Sequence, residues 1–356
     1  MGGGENVKIL VGVSGGVDSA FAVKKLQLLG HTVEGAVLKM HEYTECDAAR
    51  RVAKDLGIPL WEIDCTVSFN SIIKKNFVEE YSAGRTPNPC ILCNERVKFK
   101  YLYDFAMEHG FDMIATGHYA RVESFELDGE PCYALSCAED LAKDQTYMLY
   151  RLPQHILEKL VLPLSEGTKA QIREAAAGYG IGAADRKDSL EICFLPDGGH
   201  AEYVESVIGA SPEGNFIDTE GRVIGRHKGI IRYTVGQRKG LGISLGERAF
   251  VTNIDPVNNT VTLSTSSEGQ YEVLVRDMVY SGIPMPKEVT VRTFTAKLRY
   301  SRSAGECEAT LYPDGTAVLK FDTPQKAAPG QSAVLYDGKR VVCGGYICSN
   351  EQRFKA

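Results

Sequence analysis

The stretch Gly12-Val-Ser14-Gly15-Gly16-Val17-Asp18-Ser19 constrains this chain more than any other. An apolar run from Val7 to Val13 leads into it and an amphipathic run from Ala20 to Leu29 leaves it. That order reads as strand, glycine-rich turn and helix. Successive backbone N–H groups in such a turn form a concavity for an anion, and the helix N-terminus behind adds partial positive charge. Gly15 and Gly16 permit close approach of a phosphate and tolerate positive φ. Asp18 and Ser19 stand where a helix cap belongs, and a plainer reading gives them that duty alone.

The periods that follow extend the pattern. Strands are expected at Thr32–Met40, Pro59–Asp64 and Phe111–Thr116, and helices at Cys46–Leu56, Ser71–Tyr81, Val97–His109 and Thr168–Tyr179. A short helix through Leu149 follows Lys143-Asp144-Gln145-Thr146. Alternating strands and helices imply a parallel sheet with right-handed crossovers, whose ligands lie beyond the carboxyl ends of the strands. Ser14, Met40 and Gly117 therefore belong on one rim. Met40 suits an adenine slot, with core packing as the plainer reading. From about Pro212 short alternating runs are divided by turns at Glu220-Gly221, Asn258-Asn259, Asp314-Gly315 and Asp337-Gly338. These are hairpin signals. The expected fold is an α/β N-terminal domain over residues 1–200, a small β-rich central module over 201–270 and a C-terminal β-barrel over 271–356.

The totals exclude several classes. The chain has 356 residues, 44% hydrophobic and 24% charged, the profile of an ordinary soluble protein. No apolar run approaches the roughly 20 residues that span a bilayer. The start, MGGGENVK, lacks the flank and core of a secretory signal, and Asn6 breaks the myristoylation pattern. The expectation is a cytoplasmic protein with no membrane partner. The net charge of −6 argues against indiscriminate nucleic-acid binding. Two runs free of acids, Arg222–Lys239 with six Lys or Arg and Arg292–Arg302 with four, instead suggest a local surface for a phosphate backbone. For either run alone, a solvated face is the plainer reading.

Ten cysteines in such a chain point to thiols, ligands or catalysts rather than a disulfide framework. Cys46, Cys65, Cys132, Cys137, Cys307, Cys343 and Cys348 read as small hydrophobes. Cys90, Cys93 and Cys193 are different. The first two lie at C-x-x-C spacing in Arg85-Thr86-Pro87-Asn88-Pro89-Cys90-Ile91-Leu92-Cys93-Asn94, read as a proline-stiffened turn between helices, and the third in Asp188-Ser189-Leu190-Glu191-Ile192-Cys193-Phe194. An unperturbed thiol is only about 3% thiolate at pH 7, so a reactive one needs a cationic or helix-terminal setting. Lys98, Lys100 and His118 are the candidate neighbours. A zinc site is the bland alternative, though without a second C-x-x-C it would need distant ligands.

The turn at Ser14 lacks the lysine of a Walker A loop. SGGVDS instead resembles the PP-loop of ATP pyrophosphatases, which cleave between the α- and β-phosphates and adenylate a carbonyl oxygen. SGGVDS, RTPNPCILCN followed by VKFK, ATGHYAR, KDQTYML, EICF, TVGQRKGLGI and APGQSAV occur in that order. Together they resemble the tRNA-specific 2-thiouridylases, which put sulfur on the wobble uridine, and the likeness runs from about residue 7 to the end. The resemblance implies ATP at Gly12, Val13, Ser14, Gly15, Gly16, Val17, Asp18 and Ser19, with Met40 and Gly117 as further contacts and Mg2+ balancing pyrophosphate charge. It implies a persulfide on Cys193, supplied by a cysteine desulfurase or a sulfur-relay protein. Cys93 is implied as nucleophile, and a Cys93–Cys193 disulfide can form as sulfur leaves. Asn88, Pro89, His118, Lys143, Asp144, Gln145, Arg299, Tyr300 and Gln331 are implied to meet the tRNA anticodon stem-loop, with His118 also flanking the ATP rim.

Two positions depart from that family pattern. Many relatives carry Asp where this chain has Cys90, and Glu191 replaces the glycine of the commoner STGICF form. Three thiols suffice to hold a cubane cluster with one iron open. A 4Fe-4S centre on Cys90, Cys93 and Cys193 therefore stands beside a persulfide relay as an expected sulfur route. The rival assignments are another PP-loop ligase or synthetase acting on a small molecule, and a non-catalytic RNA-binding or metal-binding protein. The paired cysteines and the absence of a glutaminase half speak against the first, and the intact loop against the second.

Overall fold

The computed structural model describes residues 6–44, 46–127, 129–181, 192–195, 199–243, 248–265, 269–301 and 303–349. Five parallel strands lie at its centre: β1 (Lys8–Gly12), β2 (Thr32–Lys39), β3 (Leu60–Asp64), β4 (Met113–Ala115) and, after the hairpin strands β5 (Arg121–Leu127) and β6 (Glu130–Ser136), β7 (Leu160–Val161). Their order is β3-β2-β1-β4-β7, with Gly12 beside Ala36 and Val11 beside Ala115. In β1, Ile9 and Val11 enter one core and Leu10 the other, the double burial expected of a parallel strand covered on both faces. The chain leaves β1 for β2 on one side and returns to β4 on the other. The opening between β1 and β4 is thus a topological switch point, where such sheets hold ligands.

Helix α1 (Val17–Leu28) buries Val17, Ala20, Phe21, Val23 and Leu26, and α2 (Cys46–Leu56) buries Ala48, Ala49, Val52 and Ala53 beside it. The opposite face is covered by helices that start earlier than the periodicity predicts. Helical turns run without a break through Thr66–Ser68, Phe69–Lys74 and Lys75–Ser82, and again through Pro89–Cys93, Asn94–Lys98 and Phe99–Glu108. The middle piece of each is a π turn, which shifts the register of the buried side chains. Cys90 and Cys93 are therefore helical and not part of a loop, which corrects the turn read from the prolines. Asn88 accepts the Cys90 N–H as N-cap and Pro89 opens the helix, an arrangement that suits proline because its missing N–H is not needed there.

The four hairpin turns all form. The central sheet joins β8 (Gly214–Ile217), β9 (Val223–His227), β10 (Phe250–Asp255) and β11 (Thr260–Ser264) in the order β10-β11-β8-β9. Six antiparallel strands then close into a barrel: β12 (Gln270–Tyr280), β13 (Thr290–Lys297), β14 (Gly305–Leu311), β15 (Ala317–Gln325), β16 (Ser332–Asp337) and β17 (Arg340–Ile347), with β12 pairing β17. Val273, Phe294, Ala309, Leu319 and Leu335 fill it. The β5–β6 hairpin was not among the sequence expectations. It lies within the nucleotide half of the chain yet joins the barrel sheet through Ser136 opposite Arg340. Among the described residues no helix is long and apolar enough to cross a membrane.

Candidate active site

The loop after β1 is built from its own hydroxyls. Ser19 Oγ accepts from the Ser14 N–H at 3.2 Å and donates to the Gly16 carbonyl at 3.0 Å, while Ser14 Oγ accepts from the Gly16 N–H at 3.4 Å. Gly16 itself is the N-cap of α1, so Asp18 and Ser19 are not side-chain caps. Gly15 has φ +80°, and a Cβ there would meet the Ala48 Cβ at 2.4 Å. A Cβ on Gly117 would meet the Asp18 carbonyl carbon and Ser19 N, both at 2.7 Å. The strand-end segment at Gly117 thus packs directly on the first turn of α1, and the backbone of both is free to line an anion site. Asp18 turns away from capping: Tyr119 OH donates to Oδ1 at 2.8 Å and Lys169 Nζ donates to Oδ2 at 2.5 Å.

Met40, at the end of β2, joins this rim to the thiols. Its sulfur receives the Cys93 thiol at 3.7 Å, and its backbone N–H goes to Thr44 Oγ1. Cys93 is buried, whereas Cys90 and Cys193 reach solvent, and all three are free thiols. Burial pushes the Cys93 thiol up to about 12, with Lys98 opposing and Cys193 and Cys90 adding to the rise. Desolvation also raises Cys90 and Cys193, again opposed by Lys98. Their influence on one another marks the three thiols as neighbours, Cys193 joining the Cys90–Cys93 pair from a hundred residues away. Phe194 fixes Cys193 there: its ring lies 5.6 Å from Phe69, 5.2 Å from Phe77 and 5.4 Å from Tyr203. Glu191 lies outside the described residues.

Of the three cations offered by the sequence, one remains. Lys100 is exposed and paired with Asp104. His118 is driven down to about 3 by burial and by Lys98, and its Nδ1 lies 2.8 Å from Thr116 Oγ1, so it is a neutral imidazole and not a cation. Lys98, at the end of the π turn, faces every sulfur of the group. A 4Fe-4S centre on these thiols is not shown. Cys90, Cys93 and Cys193 are all described, yet among the described residues no three His, Cys, Asp or Glu side chains are arranged to hold a metal ion.

The segments expected to meet RNA divide into frame and surface. Asp144 is buried, accepting from Ala138 N–H and from Thr146 Oγ1, which also contacts Tyr336 OH. Gln145 pairs twice with Tyr119, donating its N–H to the carbonyl and accepting the Tyr119 N–H at 2.8 Å. Gln331 Nε2 donates to the Thr86 carbonyl at 2.7 Å while the Thr86 N–H goes to the Pro329 carbonyl. Thr86 Oγ1 reaches Thr234 Oγ1 at 3.4 Å, so the approach to the cysteine helix is held by both β modules. Arg299 donates to the Val235 carbonyl, and Tyr300 is exposed beside Lys297. Asn88 and Pro89 sit at the helix start with Cys90, and Lys143 is half-buried.

The acid-free runs are less bare in space than in sequence. Arg222 pairs with Asp218 and Glu220, Arg226 with Glu213, and Arg232 with Glu202 and Glu205. Lys228, Arg238, Lys239 and Arg292 stay exposed, with no ion pair among the described residues. Tyr119 and Lys169 were not singled out beforehand. Tyr119 lies inside the ATGHYAR motif, but nothing local marks a lysine 151 residues beyond Asp18.

Comparison with known proteins covers nearly the whole chain. Residues 7–197 match the model described as tRNA methyl transferase HUP domain, residues 201–265 its PRC-barrel domain, and residues 270–347 the aminomethyltransferase beta-barrel domain. The tRNA-specific 2-thiouridylase MnmA of Clostridium acetobutylicum is 42% identical over 360 residues, covering 96% of this chain and 99% of the relative. Its namesake in Lachnoclostridium phytofermentans is 40% identical over 357 residues, at 96% and 99%. The solved NMN synthetase of Francisella tularensis covers 56% of this chain and 76% of its own, at 15% identity and a TM-score of 0.33.

Proposed function

The chain belongs to the tRNA-specific 2-thiouridylase family, and from that premise we propose that it replaces the 2-oxygen of a tRNA wobble uridine with sulfur at the expense of ATP. One observation carries the residue assignment: the Cys93–Met40 contact of 3.7 Å places the buried thiol against the end of β2, on the same rim as the phosphate loop. An activated oxygen and an incoming sulfur have to meet within contact distance, and proximity of that kind supplies much of a two-substrate reaction's acceleration.

ATP is a substrate. The uridine 2-oxygen attacks its α-phosphorus, and pyrophosphate leaves towards the N–H groups of Ser14–Ser19, with Met40 and Gly117 closing the site. Magnesium accompanying the nucleotide neutralises phosphate charge and is held chiefly by the phosphates. The outer sulfur of a Cys193 persulfide, loaded by a cysteine desulfurase or relay protein, attacks C2, and AMP departs with the former uridine oxygen. Cys93 then attacks the Cys193 sulfur. The sulfur–sulfur bond breaks, its electron pair stays with the sulfur on C2 to give the thiocarbonyl, and a Cys93–Cys193 disulfide is left for a cellular thiol to reduce. On this persulfide route no step runs through an iron–sulfur cluster. Residues 1–200 supply this chemistry, and the anticodon stem-loop is seated by Asn88, Pro89, His118 and Lys143–Gln145 of that part together with Arg299, Tyr300 and Gln331 of residues 271–356, with 201–270 between them.

The test is thiolation of tRNA with ATP and a persulfide donor, reading both 2-thiouridine and AMP. Cys193→Ser and Cys93→Ser are expected to lose 2-thiouridine by at least about a thousandfold, as nucleophile removal does elsewhere, while still binding ATP. Thiolation by either variant at the wild-type rate overturns the assignment.

A further inference from the structure

We propose that Lys169 is a positioning residue for the phosphate loop: together with Tyr119 it neutralises and aims Asp18, so that the loop accepts the polyphosphate of ATP. The proposal rests on the functional reading above and deepens it.

A carboxylate in the first turn of α1 suits the helix dipole but opposes an anion arriving at the same N-terminus. Asp18 is that carboxylate. Its charge is met at once by the Lys169 ammonium, 2.5 Å from Oδ2, and its other oxygen is fixed by Tyr119 at 2.8 Å. Lys169 is 7% exposed. Its ammonium also lies 5.5 Å from the Tyr119 ring, whose face favours a cation.

The helix that carries Lys169 does not need a lysine there. Lys169–Gly178 begins with a complete capping box, Thr168 Oγ1 accepting from Gln171 N–H and Gln171 Oε1 accepting from Thr168 N–H. A cation in a first turn is set against the dipole, and burying it adds desolvation. Both penalties find an offset in Asp18. Around the pair, the Lys169 N–H goes to Asp140 Oδ2 at 3.0 Å and the Lys143 N–H to the Asp140 carbonyl, while Gln145 grips Tyr119. The two groups that hold Asp18 are therefore anchored at either end of the Asp140–Gln145 segment. The loop's lysine, absent from the motif itself, arrives from a distant helix and acts through the aspartate.

Binding of Mg·ATP alone, without tRNA or a sulfur donor, tests this. Lys169→Met should weaken binding at least roughly tenfold, since an uncompensated carboxylate would face the phosphates, and should raise the KM for ATP with the KM for tRNA unchanged. Lys169→Arg should stay within about threefold of wild type, because it keeps the charge. Asp18→Asn combined with Lys169→Met should recover most of the lost binding. Should Lys169→Met not fold, Lys169→Gln, which keeps a donor for Asp18 without the charge, gives the same comparison. Wild-type binding by the neutral variants, or a double variant as weak as the single one, overturns the proposal. A wild-type enzyme that fails to bind Mg·ATP overturns instead the functional reading beneath it.

Discussion

The phosphate loop and the thiol centre sit on one rim and are built on opposite principles. In the loop the hydroxyls of Ser14 and Ser19 are engaged, and the one carboxylate is met by a cation and a phenol. It is an electrostatically finished site before any ligand arrives. At the thiols, desolvation raises the sulfurs above the ordinary thiol value, and Lys98 alone among the three expected cations leans the other way. The difference teaches that the loop carries its charge balance within itself, whereas desolvation sets the character of the thiols. On the proposed persulfide route such quiet thiols have a use, because a persulfide on an unguarded thiolate would be lost to any passing electrophile.

The contrast breaks most visibly at the loop. Gly117→Val should lower thiolation by about a hundredfold through a misplaced α1 terminus, as small misplacements in positioned reactions do, and ATP affinity measured by titration should fall with it. Retained ATP affinity would show that the close approach at 2.7 Å is dispensable. The thiols should respond to pH instead. Alkylation of Cys93 in the free enzyme should climb roughly tenfold per pH unit between 7 and 9 without a plateau, since only the thiolate reacts. A plateau below pH 8 would contradict the direction of the shift. The same shift bears on stability. A thiol whose folded pKa rises from 9.0 to about 12 contributes fully below the unfolded value, and its contribution is lost as pH climbs towards the folded one. Lys98→Met should slow Cys93 alkylation at pH 8 by about three- to tenfold, the size expected of a partly screened charge. The smallest effect is reserved for Cys90→Ala: the persulfide route asks nothing of that thiol, so thiolation from a persulfide donor should stay within about twofold of wild type. Loss of activity there would give Cys90 a part in the sulfur route.

Much of this was legible in the residues. The strand–turn–helix at Ser14 and the four β-turn hairpins form where glycine and asparagine pairs announce them, because turns are local events. The helix beginning at Pro89 was readable too, from asparagine as cap and proline at the first position, although the neighbouring Pro87 drew the reading towards a loop. Gly129, with φ +83° between β5 and β6, is a turn signal of the same kind. The π turns at Phe69–Lys74 and Asn94–Lys98 carry no such mark, since they arise from packing against the sheet rather than from propensity. Nor could sequence show that Arg232 finds Glu202 and Glu205 some 30 and 27 residues upstream, whose carboxylates offset its charge. The site's least local contact, Lys169 with Asp18, was the least visible.

Both backbone hydrogen-bonding groups of Thr86 are satisfied by residues 329 and 331. A growing polypeptide emerging from the ribosome has made its phosphate loop and both helical cysteines long before those partners exist. The grip ahead of the Pro89 helix is therefore among the last contacts to close during synthesis, and an unfinished or truncated copy would enter the cell with its nucleotide pocket assembled and its sulfur arm unlatched.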